Sequence, residues 1–124
     1  MSDDLGCIID EEFKKQLESA TSQTPLTVIA TIRETFKVHN LIKNLQGYAR
    51  GSPEQQQARL AVKEAETRMM EPVCKYLDSL GVQYNPLTSI HVVTAQMTPK
   101  QILDFTRLPY VQIVSPDAEV VAID

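Results

Sequence analysis

The side chains in this sequence best suited to covalent or acid–base chemistry are two histidines and two cysteines. His39, His91, Cys7 and Cys74 are dispersed, and the two cysteines stand 67 positions apart (74 − 7). A hydrolase needs a nucleophile beside a positioned base, and a zinc site needs three or four ligands. Spacing alone places no such partner beside either histidine. We therefore expect His39 to be a solvated helix residue, His91 an outward-facing sheet residue, and no metal to be bound.

The carboxylates and glycines do not form a catalytic pattern either. Glu64 and Glu71 fall on the polar side of a predicted helix, where a solvated pair is expected. The four glycines fall at predicted helix ends or turns and do not form a phosphate-binding loop. We expect neither enzymatic activity nor a cofactor.

The charge distribution disfavours nucleic acid as a partner. The net charge is −4, from 12 basic and 16 acidic side chains. Residues 1–24 hold six acids and two lysines, so residues 25–124 balance at ten basic (12 − 2) and ten acidic (16 − 6). A neutral body without a basic stripe lacks the counterion release that dominates nucleic-acid affinity.

At 124 residues and 13.9 kDa, the chain has the length of one domain. It contains no apolar run of about 18 residues, so no membrane partner is expected. It also lacks a positively charged start followed by an apolar segment, and two cysteines do not make a disulfide framework. We expect a cytoplasmic protein with reduced thiols, monomeric when free.

The first 24 residues are interpreted as an acidic arm. Asp10 is expected to cap a short helix that runs to about Ser19, with Ile9, Phe13 and Leu17 on one side. A mobile arm is favoured over a docked segment. A polar linker then leads to the body.

The body reads as strand, helices, strand, strand, helix and strand. Alternation over residues 26–33 predicts a central strand. Ser52 and Pro53 predict the start of a long helix that ends at Gly81, with Pro72 kinking or dividing it near Met69. Residues 82–84 and 89–97 predict a hairpin that turns around residues 85–86. Another helix follows Thr98, and residues 111–114 predict a last strand.

This order predicts an α+β, ferredoxin-like fold (split βαβ, βαββαβ), a four-stranded antiparallel sheet with both helices on one face. The other face is expected to be open, and an open face with apolar members is a candidate partner surface. The phasing assigns six residues to it: Ile29, Thr31, Arg33, His91, Val93 and Ala95.

Four segments resemble the subtilisin propeptide family, which includes stand-alone inhibitors of subtilisin-like serine proteases (the proteinase B inhibitor type). They read "TPLTVIATIRE", "LDSLGVQYNPLTSIHVVTAQMT", "PKQILDFTRLPYVQIV" and "VSPDAEVVAID". The likeness covers about residues 24–124 and is strongest over residues 98–117. The chain departs from the family in its 24-residue arm, in a longer connection over residues 35–51 and in lacking a secretion signal.

The resemblance implies a partner and a mechanism. The open face of residues 25–117 would rest on two surface helices of a subtilisin-like serine protease, and Asp117 would cap those helices, with Glu119 as a substitute. An extended tail, residues 118–124, would enter the substrate cleft. Counting back from Ile123 places Val120 in the upstream pocket, and counting from Asp124 places Val121 there. The substrate-like residues are Val120, Val121, Ala122, Ile123 and Asp124.

Two alternatives to a stand-alone inhibitor stay open. The chain could be a propeptide, acting as an intramolecular chaperone of a protease precursor. It could also be a protein-interaction module on the same fold with a partner other than a protease, because fold alone does not fix function.

Overall fold

The computed structural model describes residues 7–21 and 23–116, which form five strands, four α-helices and a short 3-10 turn. The 3-10 turn, Thr88–Ile90, lies between the third and fourth strands. In chain order the other elements are β1 (Ile8–Ile9), α1 (Glu11–Ser19), β2 (Leu26–Ile32), α2 (Phe36–Leu45), α3 (Pro53–Leu80), β3 (Tyr84–Leu87), β4 (Val92–Met97), α4 (Pro99–Phe105) and β5 (Val111–Pro116).

The helix ends follow the local signals in the sequence. The Ser52 hydroxyl accepts a hydrogen bond from the Gln55 amide at 3.1 Å, with Pro53 in the first helical position. Gly81 ends α3 with a φ of 69°, in the left-handed region that glycine adopts without a Cβ penalty. Thr98 and Gln101 form a reciprocal capping box at α4.

Helix α3 is continuous over 28 residues, so the predicted division near Met69 is wrong. Pro72 removes one backbone donor but lies on an exposed position, where water can solvate the carbonyl left without a partner. Met69, Val73 and Leu77, on the neighbouring side of the helix, are buried in the core. Their packing holds the helix together across the proline.

The sheet has five strands in the order β1-β5-β2-β4-β3 and is mixed. Strands β5, β2, β4 and β3 pair antiparallel with their neighbours, whereas β1 pairs parallel with β5. The fold class is α+β, as predicted. The prediction of a sheet with only four strands, all antiparallel, is wrong because the N-terminal segment adds a strand.

The core lies between one face of the sheet and the helices. Val28, Ala30 and Ile32 of β2 are at most 1% exposed and belong to one cluster with residues of all four helices. The same face receives Val93, Ala95 and Met97 from β4, and Val111 and Val114 from β5. The helices therefore cover this face, and none of the helices in residues 7–21 and 23–116 packs on the opposite face of the sheet.

The N-terminal segment is docked on the body over residues 7–19, so the expectation of a mobile arm is wrong there. Asp10 caps α1 as predicted, by accepting a hydrogen bond from the Phe13 amide at 3.0 Å. Phe13 and Leu17 are buried in the core, and α1 packs against α4. Two large apolar side chains thus anchor the segment.

The connection between β3 and β4 differs from the predicted hairpin. Residues 85 and 86 lie inside β3, and the chain reverses through the 3-10 turn and His91, whose φ is 59°. A non-glycine residue in the left-handed region carries backbone strain, which surrounding contacts must offset. The shifted turn sets the phase of β4.

Candidate functional site

A row of side chains crosses the open face of all five strands. Direct pairing places Ile8 opposite Ile113, Ile113 opposite Thr31, Thr31 opposite Val92, and Val92 opposite Leu87. Directly opposed residues point to the same side of a sheet. The row, called the apolar row below, therefore carries four large aliphatic side chains and one threonine.

A parallel second row lies beside the first. Ser115 pairs with Ile29, Ile29 with Thr94, and Thr94 with Asn85, while Thr27 pairs with Gln96 beyond them. These residues are partly or fully exposed. Together with the apolar row they form the open face, which is defined here as eleven residues: Ile8, Thr27, Ile29, Thr31, Asn85, Leu87, Val92, Thr94, Gln96, Ile113 and Ser115.

The open face contains no charged side chain, although 23% of the chain is charged. Solvated sheet faces normally carry charges, and the centres of protein interfaces are depleted of them. An uncharged face of aliphatic, hydroxyl and amide side chains across five strands therefore has the composition of a contact surface.

Three of the six residues predicted for this face are placed correctly or at its border. Ile29 and Thr31 lie on it. Arg33 follows β2 directly, and its Nε donates a hydrogen bond to the Pro109 carbonyl oxygen at 3.1 Å. Arg33 therefore marks the end of the face and ties it to the loop before β5.

The other three assignments are wrong. Val93 and Ala95 point into the core, 0% and 3% exposed, opposite Ala30 and Val28 of β2. His91 precedes β4 in the left-handed conformation and is buried rather than outward-facing. The cause is a phase error of one residue, which exchanges the two faces of a strand.

Nine of the eleven residues of the face were missed (11 − 2): Ile8, Thr27, Asn85, Leu87, Val92, Thr94, Gln96, Ile113 and Ser115. Thr94 and Gln96 carried a usable signal, because two polar residues at alternate positions favour the solvent side of a strand. Val92 and Val93 are of the same residue type, so the sequence does not indicate which of them faces solvent. Ile8 belongs to a strand of two residues, which is too short for periodicity to reveal.

His91 is held between two carboxylates at one end of the sheet. Its Nε2 lies 2.6 Å from Oε2 of Glu66 on α3, and its Nδ1 lies 3.5 Å from Oε2 of Glu34. The other oxygen of Glu34 lies 2.8 Å from Nδ1 of His39. The His39 side chain is 62% exposed, consistent with the predicted solvated position.

This cluster is structural in character. Both ring nitrogens of His91 face carboxylates, so neither is directed toward a nucleophile, as a general base would require. The His91 carbonyl oxygen also accepts a hydrogen bond from the Ile32 amide at 2.7 Å. Side chain and backbone together fix the left-handed turn to both α3 and β2. Among the described residues, no group of three or more His, Cys, Asp or Glu is arranged to hold a metal ion.

A second contact holds β3, at one edge of the sheet, to the last turn of α3. The Tyr84 hydroxyl donates a hydrogen bond to Oδ1 of Asp78 at 2.8 Å. This bond to a carboxylate, with smaller contributions from desolvation and charge, raises the pKa of Tyr84 to about 12. The phenol therefore stays protonated, and able to donate, throughout the neutral range.

The two cysteines are partly buried and form no disulfide in the described part of the chain. Desolvation raises the pKa of the Cys7 thiol and of the Cys74 thiol. A raised thiol pKa lowers the fraction of reactive thiolate at neutral pH.

The predicted cleft and capping residues fall outside the described residues. These are Asp117, Glu119 and the tail Val120, Val121, Ala122, Ile123 and Asp124. The described chain ends in β5, where Pro116 lies opposite Val28 of the central strand β2. Residues 117–124 therefore continue the chain from a strand that pairs with both β1 and β2 at Ile113 and Val114, and with β2 alone at Ser115 and Pro116.

Comparison with protein-family models, with curated proteins and with solved structures gives no match to this chain. Within the described ranges, no helix has the length and apolar character needed to cross a bilayer. The open face is therefore the candidate site on its own geometry and composition.

Proposed function

We propose that this protein inhibits a subtilisin-like serine protease by docking its open face on the enzyme and placing its tail in the substrate cleft. The single observation that carries the proposal is the open face, eleven uncharged residues on the side of the sheet away from the helices. Supporting it is the position of β5, which leads from this sheet straight into residues 117–124.

The ferredoxin-like arrangement is part of the proposal. The antiparallel order β5-β2-β4-β3, with α2 and α3 before β3 and α4 before β5, supports it for residues 25–116. Strand β1 is then an addition at the β5 edge.

Inhibition follows physically from the way the tail would be presented. An extended peptide gains main-chain hydrogen bonds along the strands of a protease cleft, and alternate side chains fill its pockets. Here residues 120–124 would supply those side chains. Anchoring the tail to a paired strand lowers the ordering cost that a free peptide bears.

Asp117 is proposed to meet the N-termini of the enzyme helices beneath the open face, with Glu119 as its substitute. A carboxylate there satisfies free backbone N–H groups and meets the positive end of the helix dipole. The proposed protein is not an enzyme, binds no cofactor and acts in the cytoplasm as a monomer until it meets the protease.

The test is titration of subtilisin with the full-length protein while hydrolysis of a chromogenic peptide is followed. We expect inhibition that saturates at one protein per enzyme, and no inhibition of chymotrypsin, whose surface and fold differ. Full subtilisin activity at a large excess of protein would refute the proposal and leave the interaction-module alternative.

The propeptide alternative shares the docking face and differs in a second activity. A propeptide would also raise the yield of active protease when denatured subtilisin is diluted into buffer. Inhibition without increased refolding identifies a stand-alone inhibitor, whereas inhibition with increased refolding identifies a chaperone.

A further inference from the structure

We infer that the N-terminal segment is part of the docking surface, and that Ile8 makes direct contact with the protease. This inference rests on the proposed function. It extends the docking surface to the N-terminal segment, which has no counterpart in the family that the sequence resembles. The occupant is the same in both cases, the surface of the subtilisin-like protease that lies beneath the open face.

The first step is that the N-terminal segment packs against the core of the body. Phe13 and Leu17 are 7% and 3% exposed beneath α1, and Cys7 and Ile9 pack against the same core. Strand β1 is therefore fixed at both ends of its short pairing with β5. A strand anchored in this way presents its outer side chain in a defined position, with little ordering left to lose on binding.

The second step is the register. Ile8 lies opposite Ile113, the member of the apolar row on β5, while Ile9 lies opposite the buried Val114. Ile8 thus adds one more aliphatic side chain in line with the row. The row would otherwise end at Ile113.

The third step is exposure. Ile8 is 62% exposed, the most of any large hydrophobic residue in the described strands. Ile9, its neighbour, already supplies what the core requires from β1. An isoleucine with this exposure contributes little to folding and gains most when a partner covers it.

The test compares Ile8→Asp with Leu60→Asp in the subtilisin titration. Leu60 is the matched control, since it is 66% exposed but belongs to α3, on the helical side of the sheet. We expect Ile8→Asp to raise the inhibition constant about tenfold or more, as for a charge buried in an apolar contact. Leu60→Asp should stay within about twofold of the unchanged protein, as a change outside the contact.

The outcomes separate this inference from the proposed function. If the unchanged protein inhibits and Ile8→Asp inhibits equally well, the inference is overturned and the proposed function stands. If the unchanged protein does not inhibit, the proposed function fails and the inference falls with it.

A second variant is needed because Ile8→Asp could weaken inhibition by detaching β1 from the sheet. Ile8→Thr keeps the β-branched shape that suits a strand while removing apolar surface. We expect it to weaken inhibition about threefold with an unchanged melting temperature. Inhibition by Ile8→Thr equal to that of the unchanged protein would overturn the inference even if Ile8→Asp weakens binding.

Discussion

Nε2 of His91 lies 2.6 Å from Oε2 of Glu66, and this pair joins the turn before β4 to the middle of α3. The two side chains are only 11% and 9% exposed. Because β4 begins at the next residue, the pair fixes the turn from which β4 starts. Together with the pairing of β4 and β2, this contact on the helical side of the sheet holds the side chains of β4 in their observed phase.

Removing the carboxylate should destabilise the fold strongly. We expect Glu66→Ala to lower the free energy of unfolding by about 2 to 4 kcal/mol, because His91 is left buried with only the more distant Glu34 as a partner. Urea unfolding followed by circular dichroism measures this. The control Glu64→Ala removes an exposed carboxylate that pairs with Arg68 and should cost less than about 1 kcal/mol. Equal losses in the two variants would contradict the structural role of the pair.

A charge at the centre of the open face should block docking without unfolding the protein. Thr31 is the middle member of the apolar row, and we expect Thr31→Glu to raise the inhibition constant toward subtilisin at least about tenfold. Thr67→Glu makes the same change on an exposed position of α3 and should leave inhibition unchanged. The docking model is wrong if both variants inhibit equally while both remain folded.

Deleting residues 120–124 tests the cleft segment separately from the docking face. We expect the truncated protein to lose inhibition and to keep its circular dichroism spectrum, since the described core ends with β5. Fluorescence anisotropy of a labelled truncated protein should still report weak binding to subtilisin through the open face. Inhibition at full strength after the deletion would rule out the tail as the cleft ligand.

The contact between Tyr84 and Asp78 predicts a pH dependence with a definite sign. The folded-state pKa of Tyr84 is raised from 10.0 to about 12, so its stabilising hydrogen bond is fully present below pH 10. That contribution is lost as the pH rises through about 12. NMR titration of the Tyr84 ring should show this midpoint, and Asp78→Asn should lower it. The Tyr84→Phe variant serves to assign the ring signal of Tyr84 in the NMR spectrum. If the Asp78→Asn variant titrates with a midpoint no lower than that of the unchanged protein, the hydrogen bond is contradicted.

Local signals in the sequence were enough to predict the capped helices and the central strand. Ser52, Pro53 and Gly81 mark the ends of α3, and Thr98 with Gln101 marks the start of α4, because each acts through backbone groups a few residues away. The alternation in β2 was equally direct, with Val28, Ala30 and Ile32 all buried.

The features that depend on distant partners were not predicted. The phase of β4 is ambiguous in a Val92–Val93 pair and is settled by Glu66, 25 positions before His91, and by pairing with β2. Strand β1 exists only because β5 offers it a free edge. Of the eleven residues of the open face, only Ile29 and Thr31 were predicted, because they follow from the alternation in β2 alone, whereas Val92 and Ile8 require the assembled sheet.

Both edge strands of the sheet, β1 and β3, are poorly suited to pairing with a further strand. Strand β1 closes the β5 side with only two residues, and β3 on the far side contains Pro86, which has no amide hydrogen to donate. Short or proline-bearing edges discourage neighbouring molecules from adding to a sheet through their backbones. The molecule can therefore display a broad uncharged surface while resisting growth into fibrils or strand-linked aggregates.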